Sequence, residues 1–346
     1  MGKKVLFIAP PYMNLYKDLI DEMGKQGYSV DYIKEIVHPE DPDNVRGYRG
    51  LKRIIVVNRE RFQKKNRKFW MNLLSSEPYC KTYDILFVLN GQSLSPVVFH
   101  ILKERNPELY CVNYMFDTTK GVYHFENNFP YFNKIASFDK EDSQKYGLHL
   151  LPIFWTEQDS LNIEFEFFGM GAYKKNRYTL YNMIKQYADK MNLSYYLKMY
   201  NPVKKRLFFK TAIRNLFKIQ QDMISYDEYK SDLITNEILP LSEFNKMLNA
   251  SKIIVDSNAP HQDGLTSRFM QSLGNLKKII TTNVSSKEYS FYSPSQIFVV
   301  DNLHTFSQNK LMDFVNTKIE LSDEKLNIIE SYRIDNWIKF LLNNQC

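Results

Sequence analysis

Segments that favour strands alternate with segments of helical length along most of the chain, and this alternation restricts the fold more than any other feature. Apolar segments lie at residues 5–9, 83–89 and 110–115 in the first half, and further strand-forming segments lie at 163–168 and 252–256. Continuous apolar strands are typical of sheets that are covered on both faces. Strands separated by helical segments indicate βαβ units. The sequence therefore predicts an α/β protein with parallel sheets.

The alternation begins again near residues 155–163, and a length of 346 residues fits two domains. We predict two Rossmann-like, doubly wound domains that face a cleft, one over residues 1–155 and one over 156–322. A helix within residues 323–346 is expected to end the chain and could pack back on the first domain. Ligands of such sheets bind beyond the carboxyl ends of the strands, so the residues that follow each strand are the site candidates.

Positive charge is concentrated in two segments of the chain, although the formal net charge is only +7. Residues 46–70 carry a net charge of +9 and residues 204–218 a net charge of +6, so the remainder is acidic. Apolar side chains interrupt both segments, which could therefore lie on an anionic membrane surface. They could equally be solvated helix faces whose apolar sides belong to the core. Neither segment resembles a nucleic-acid-binding module, and we expect no nucleic-acid partner.

The chain shows no pattern of a secretory signal peptide and no stretch of about 18 uninterrupted apolar residues. Its three cysteines, Cys80, Cys111 and Cys346, are far apart and fit neither a disulfide framework nor a zinc site. No Asp-x-Asp lies in a loop that would hold Mg²⁺ against a donor diphosphate. We therefore expect a cytoplasmic protein without a metal or other cofactor, with peripheral attachment to the inner face of the cell membrane as an option.

Residues 256–274 form the most informative segment, in which a strand ends in a polar loop and a helix begins near Thr266. A helix N-terminus offers unpaired backbone N–H groups and a positive dipole end, which suit a diphosphate. Arg268 in the first turn could add a bidentate phosphate contact. Gln271, one turn later, could bind a ribose hydroxyl. An ordinary loop followed by a capped helix would show the same local pattern.

The same segment resembles the nucleotide-sugar site of GT-B glycosyltransferases. In that family, two acidic residues separated by seven others flank a glycine-rich loop and a helix start. Asp263 and Gln271 occupy this spacing here, and Gln271 departs from the pattern because it is not acidic. The resemblance implies that a nucleotide-sugar binds to Asp263, Gly264, Leu265, Thr266, Arg268 and Gln271.

Further motifs are similar to those of bacterial capsule and lipopolysaccharide biosynthesis transferases. They are Gly264-Leu265-Thr266-x-Arg268, Leu273-Gly274 and residues 278–283, together with residues 116–120, 137–142, 145–147 and 151–154. The resemblance implies a transferase that moves a sugar from a nucleotide-sugar to a polysaccharide precursor, which could be lipid-linked. Residues 156–322 would bind the donor and residues 1–155 the acceptor. Two alternatives remain open: a polyol-phosphate transferase of similar architecture, and a non-catalytic envelope-assembly protein on the same scaffold.

Asp117 follows the predicted strand at residues 110–115 and is our candidate for the general base that deprotonates an acceptor hydroxyl. A turn residue in Asp-Thr-Thr is the alternative role for this aspartate. Asn90 and Gln92, which follow the strand at residues 83–89, are acceptor-side candidates by the same strand-end rule. His124 is a further acceptor-side candidate, and His100 is a weaker one.

Gly169 and Gly171 follow the predicted strand at residues 163–168 and form a second candidate phosphate loop, with Arg177 nearby. They do not form a dinucleotide fingerprint, because the third glycine and the spaced acid are missing. The first loop of the second domain often lies near the donor diphosphate in GT-B proteins. The resemblance therefore implies donor-side roles for these three residues, and a structural turn is the alternative.

Overall fold

The computed structural model describes residues 2–11, 15–35, 60–119, 125–159, 161–201, 224–258 and 263–343. The chain forms two compact units. The first comprises Met1–Ile153 and Ile334–Cys346, and the second comprises Phe154–Arg333. Each unit contains one six-stranded sheet in which all neighbouring strands are parallel. The predicted α/β class with two Rossmann-like, doubly wound domains is confirmed.

The sheet of the first unit has the strand order β2-β1-β3-β4-β5-β6. Its strands are β1 (Lys4–Ala9), β2 (Ser29–Lys34), β3 (Ile85–Leu89), β4 (Tyr110–Met115), β5 (Lys134–Ser137) and β6 (His149–Leu150). Its helices are α1 (Leu15–Lys25), α2 (Glu60–Leu74), α3 (Pro96–Arg105), α4 (Lys140–Tyr146) and the last helix of the chain, α11 (Ile334–Leu342). Every residue of β3 and β4 is buried, as expected of central strands covered on both faces.

The last helix, α11, contributes to the core of the first unit through Trp337, which is fully buried. The Trp337 ring packs edge-on against the Tyr114 ring with their centroids 4.6 Å apart, and its Nε1 donates a hydrogen bond to the Pro152 carbonyl at 3.0 Å. Lys134 Nζ donates to the carbonyls of Phe340 and Asn343 at the end of this helix. A cation at a helix C-terminus is stabilising, so Lys134 fixes the position of α11.

The sheet of the second unit has the strand order β9-β8-β7-β10-β11-β12. Counted within the unit this order is 3-2-1-4-5-6, which is that of dinucleotide-binding Rossmann domains. Its strands are β7 (Phe165–Ala172), β8 (Tyr195–Tyr200), β9 (Ile234–Thr235), β10 (Ser251–Asp256), β11 (Lys278–Thr281) and β12 (Ile297–Val299). Its helices are α5 (Lys175–Met191), α6 (Tyr226–Lys230), α7 (Leu241–Asn249), α8 (Ser267–Gly274), α9 (Gln308–Asn316) and α10 (Asp323–Ser331).

Two element predictions were wrong in their boundaries. One helix was expected within residues 323–346, but the structure has two, α10 and α11, separated at Tyr332 and Arg333. Trp155 forms an isolated parallel bridge with Arg333, and its N–H donates to the Tyr332 carbonyl at 3.2 Å. This extended pairing interrupts the helix. The second error concerns β7, which continues to Ala172 instead of ending at residue 168.

Candidate functional site

The strand order of the second unit reverses between β7 and β10, and the carboxyl ends of these two strands carry the candidate site. In open α/β sheets, ligands bind in the crevice at such a switch point. Here Met170 to Ala172 end β7 and Asp256 ends β10. Helix α5 begins shortly after β7, and helix α8 begins ten residues after β10 at its N-cap, Thr266. The first turns of both helices therefore belong to this edge of the sheet.

Arg268, in the first turn of α8, connects the ends of the two strands. Its Nε and Nη2 donate to Oδ1 of Asp256 at 2.9 and 2.6 Å, and its Nη1 donates to the Met170 carbonyl. The pair is shielded from water, because the Asp256 and Arg268 side chains are only 2% and 12% exposed. The Thr266 hydroxyl donates to the same Asp256 oxygen at 3.0 Å and accepts the Phe269 N–H as the cap of α8. Asp256 thus orients both the arginine and the helix start.

Arg177, in the first turn of α5, places a second guanidinium at this edge, and this residue is buried. Its Nε donates to Oγ of Ser257 and its Nη2 to the Ser257 carbonyl, both at 2.8 Å, and its Nη1 donates to the Ala172 carbonyl. Burial lowers the pKa of the Arg177 guanidinium below its usual value, and the positive charge of Arg268 lowers it further. The charges of Arg177 and Arg268 thus repel one another, and the charge of Asp256 offsets part of this repulsion. An anion placed beside them would relieve that repulsion.

Gly169 and Gly171 do not form a loop after the strand, so the predicted phosphate loop is wrong. Both glycines lie within β7. A methyl group added at Gly169 would lie 2.7 Å from the Tyr181 ring, and one added at Gly171 would lie 2.6 Å from Nη1 of Arg177. The physical reason for these glycines is therefore close packing of α5 side chains against the strand. Gly171 acts on the candidate site by making room for Arg177.

The loop that precedes α8 is held in place by residues of the loop that follows β11. Asn283 Nδ2 and Ser285 Oγ donate to the Asp263 carbonyl at 3.1 and 2.8 Å. The C=O and N–H groups of a trans peptide point in opposite directions. Anchoring the Asp263 carbonyl therefore turns the N–H of Gly264 away from Asn283 and Ser285. Leu265, the next residue, is buried and holds the loop against the core.

Gln271 lies one turn further along α8 and is engaged with Thr156. Its Oε1 accepts from the N–H and the hydroxyl of Thr156 at 3.1 and 3.3 Å, and its Nε2 donates to the Thr156 carbonyl at 2.6 Å. An amide can make this two-way contact, whereas a carboxylate has no donor when ionised. This explains in physical terms why glutamine stands where the family pattern has an acid. The ribose contact predicted for Gln271 stays a prediction.

At the carboxyl edge of the first unit, the structure brings Asn90 and Asp117 together. Asn90 Nδ2 donates to Asp117 Oδ2 at 2.9 Å, and Asn90 Oδ1 accepts the Phe116 N–H at 2.9 Å. Asp117 is exposed and Gln92 is partly exposed, and both follow strand ends as predicted. His124 lies outside the described residues. His100 is exposed on α3, where it packs edge-on against Tyr131.

The described part of the first basic segment is the beginning of α2. Lys64, Arg67 and Lys68 are exposed there, and Trp70 is 1% exposed in the core of the unit. Trp70 Nε1 also donates to the Ser93 carbonyl at 2.9 Å. Trp70 is therefore not free to enter a bilayer, contrary to the membrane interpretation of its apolar side. Residues 46–59 and 204–218 lie outside the described part of the chain.

A cavity of about 410 Å³ lies at the opposite, amino-terminal edge of the second sheet, away from the switch point. Lys277 and Lys278, two of the lysines that line it, have structural partners: Lys277 Nζ donates to the carbonyls of Asn249 and Ser251, and Lys278 Nζ donates to those of Phe314 and Val315. Burial lowers the pKa of both lysines. These contacts secure helix ends, so we place the candidate site at the switch point instead.

Asp256, Ser257, Asn283 and Ser285 contribute to the candidate site but were not among the predicted site residues. The strand-end rule could have found them, since each follows or ends β10 or β11. In the described residues, no group of three His, Cys, Asp or Glu side chains could hold a metal ion. Within the same residues, no helix combines the length and apolarity needed to cross a bilayer.

No protein-family model matches the chain, and no curated protein sequence matches it significantly. Several solved structures, however, match the fold of the chain. The N-terminal domain of trehalose-6-phosphate phosphatase from Candida albicans is 10% identical over 98% of this chain and 96% of that one, with a TM-score of 0.56. UDP-GlcNAc 2-epimerase from Methanocaldococcus jannaschii, in complex with UDP-GlcNAc and UDP, is 10% identical over 94% and 98% of the two chains, with a TM-score of 0.47.

MurG from Acinetobacter baumannii is 7% identical over 95% of this chain and 100% of that one, with a TM-score of 0.43. At these identities the likeness concerns the fold alone. Together with the two parallel sheets, the likeness to the trehalose-6-phosphate phosphatase domain supports the predicted fold of two Rossmann-like domains.

Proposed function

We propose that this protein is a glycosyltransferase that moves a sugar from a nucleotide-sugar to a polysaccharide precursor. One observation carries the proposal: the buried guanidinium of Arg177, the largely buried guanidinium of Arg268 and the N-terminus of α8 meet at the switch point of a sheet with the Rossmann strand order. The charged residues at the site that are shielded from water, Arg177, Arg268 and Asp256, sum to one net positive charge, to which the helix dipole adds. Such an environment suits the diphosphate of a nucleotide-sugar.

The leaving group in this reaction is a nucleoside diphosphate, which gains negative charge as its bond to the sugar breaks. Arg268 and the N–H groups at the start of α8 would stabilise that charge without reorganising, because Asp256 and Thr266 already orient them. Arg177 would add a second positive charge at the same edge. The donor thus belongs to the second unit, where Asp263, Gly264 and Leu265 lead into the helix.

The acceptor reaction requires a base, and Asp117 of the first unit is proposed for that role. It is exposed at the carboxyl edge of its sheet, with one oxygen held by Asn90. The proposed acceptor is a glycan or lipid-linked glycan of the capsule or lipopolysaccharide type, which rests on the motif resemblance. Peripheral attachment to an anionic membrane would use the exposed cations of α2, so it would be electrostatic and sensitive to salt.

The two alternatives differ in what they require. A polyol-phosphate transferase is expected to pair two histidines, whereas His100, His149 and His304 in the described residues lie on separate elements. A binding protein without catalysis drew support from Gln271, because an acid is missing there. The bonds between Gln271 and Thr156 explain that glutamine structurally, which reduces this support.

The proposal can be tested by thermal-shift measurements with UDP, GDP, CDP and CMP sugar conjugates. We expect at least one of them to raise the melting temperature of the wild type. Arg268→Ala and Arg268→Lys should lose most of that shift, because neither keeps the bidentate fork. Lys287→Ala is a matched control, since Lys287 pairs with Asp301 at the surface of the same unit. No shift with any conjugate would contradict donor binding and favour the binding protein.

A further inference from the structure

The chain leaves strand β3 in an unusual backbone conformation. Asn90 has φ +65° and the next residue, Gly91, has φ +83°. Left-handed backbone is uncommon for residues other than glycine, although asparagine adopts it more readily than most. Asn90 is also only 6% exposed. A buried, left-handed asparagine at the end of a central strand suggests that its side chain is needed where it lies.

The Asn90 amide is directed at the segment that follows the neighbouring strand, β4. Its Oδ1 accepts the Phe116 N–H and its Nδ2 donates to Asp117 Oδ2, both at 2.9 Å. Both polar atoms of the amide therefore act on two consecutive residues, which fixes the position and the rotation of the Asp117 carboxylate. This use differs from the sequence-based expectation that Asn90 contacts the acceptor directly.

Asn90 is itself held from behind by a second buried asparagine. Asn113 in β4 is 2% exposed, and its Nδ2 donates to the carbonyls of Val88 and Asn90 at 3.2 Å. The Asn90 N–H donates to the Tyr114 carbonyl at 2.8 Å. Backbone and side chain together connect the ends of β3 and β4. A contact supported in this way keeps its geometry when a substrate binds.

Other ionisable groups on this edge have partners of their own. The Asp142 carboxylate accepts the N–H and the hydroxyl of Thr119 at 2.7 and 2.5 Å, and it lies on α4, which Asp139 caps. The Glu35 carboxylate, after β2, accepts the N–H and hydroxyl of Ser93 at 2.7 and 3.2 Å. These contacts fix the loops on both sides of Asn90 and Asp117.

We propose that Asn90 is a positioning residue that holds the Asp117 carboxylate ready to accept the proton of the acceptor hydroxyl. The inference rests on the proposed transfer reaction. In that reaction the acceptor oxygen forms a bond to the anomeric carbon, the bond from that carbon to the diphosphate oxygen breaks, and the acceptor proton moves to Asp117. The diphosphate leaves with the electron pair of the broken bond. Asn90 takes no part in bond making, and its amide limits the rotation of the carboxylate.

Two substitutions of Asn90 separate positioning from folding. Asn90→Gly keeps the left-handed backbone and removes the amide. Asn90→Asp keeps the acceptor for the Phe116 N–H but replaces the donated hydrogen bond by a second carboxylate about 3 Å from Asp117, and two carboxylates this close resist ionising together. Asn133→Asp is the matched control, because Asn133 accepts the Cys111 N–H at the opposite edge of the same sheet.

The first measurement is the titration of the Asp117 carboxyl carbon by NMR, in protein labelled at the aspartate side chains and assigned with Asp117→Asn. We expect Asn90→Asp to raise the titration midpoint of the pair by at least about one pH unit. Asn90→Gly should raise the Asp117 midpoint by less, and Asn133→Asp should leave it in place. An Asp117 titration midpoint that is the same in the wild type, Asn90→Asp, Asn90→Gly and Asn133→Asp would overturn the proposal. This measurement needs no substrate, so it is independent of the donor screen.

The second measurement is nucleotide release from a donor that stabilises the protein, with water as acceptor when no glycan is added. Asn90→Gly should lower kcat at least about tenfold with little change in the donor KM. Unchanged kcat in this variant would overturn the proposal. If Asp117→Asn also turned over normally, the base role of Asp117 would fail with it. Neither result affects whether Arg268→Ala loses donor binding, which tests the proposed function. Failure of the Asn90 proposal can therefore be told apart from failure of the proposed function.

Discussion

Replacing Gly171 by alanine is expected to destabilise the second unit through Arg177. The added methyl carbon would lie 2.6 Å from Nη1 and 2.9 Å from Cζ of that guanidinium. Ordinary contacts between such atoms are about 3.5 Å, so the guanidinium must move by roughly 0.9 Å. Movement of that size breaks or strains its two 2.8 Å bonds to Ser257. Hydrogen bonds of charged groups contribute about 1.5–3 kcal/mol each, and we expect a loss of about 2–4 kcal/mol.

Equilibrium urea unfolding, followed by circular dichroism, measures this loss. Gly24→Ala is the control, because a methyl group there meets nothing within 4 Å and alanine favours the helix α1. The cause is tested by a double-mutant cycle with Arg177→Met. In the Arg177→Met background, Gly171→Ala should lower the free energy of unfolding by less than about 1 kcal/mol, because the rigid guanidinium is absent. An equal cost in both backgrounds would refute the assignment of the clash to Arg177.

Two further predictions concern single side chains of the second unit. Gln271→Glu places an acid at the position where the GT-B pattern has one. It should lower the free energy of unfolding by about 1–3 kcal/mol, because the N–H group that donates to the Thr156 carbonyl is lost. Unchanged urea unfolding together with tighter binding of the nucleotide-sugar would contradict this prediction. Burial raises the pKa of Glu228, but hydrogen bonds from Lys175 and Ser225 outweigh it and hold that pKa below its usual value. A depressed pKa adds stability at neutral pH that is lost as the pH falls below about 4.5. Glu228→Gln should therefore lower the free energy of unfolding by about 1–2 kcal/mol at pH 7, a range that allows for the half-exposed Lys175 side chain. The difference in this free energy between the variant and the wild type should shrink in urea titrations below pH 4.5. A difference that stays constant with pH would argue against the ion pair.

The fold could be predicted from the sequence because strand length, apolar character and helical spacing are local properties. The strands at residues 110–115 and 252–256 were placed within one residue of β4 and β10. The end of β7 could not be predicted in this way. Glycines usually mark loops, whereas Gly169 and Gly171 stay in the strand because Tyr181 and Arg177 pack on them.

The candidate site was predicted in part, for the same reason. Arg268 and Thr266 follow from the rule that a helix start after a strand faces the ligand edge, and the structure places both there. The strand-end rule also marks Asp256 and Asn283 as candidates, but their hydrogen bonds with Arg268 and with the Asp263 carbonyl depend on how the chain folds. The role of Gln271 depends on Thr156, 115 positions earlier in the chain. Contacts at such separation leave no local signal in the sequence.

The most direct test of the central claim is a crystal structure of the protein soaked with the nucleotide-sugar that stabilises it most. The account predicts the diphosphate at the N-terminus of α8, with at least one phosphate oxygen within about 3.2 Å of a nitrogen of Arg268 or Arg177. A nucleotide bound elsewhere in the second unit, with no phosphate oxygen in contact with either guanidinium, would contradict it.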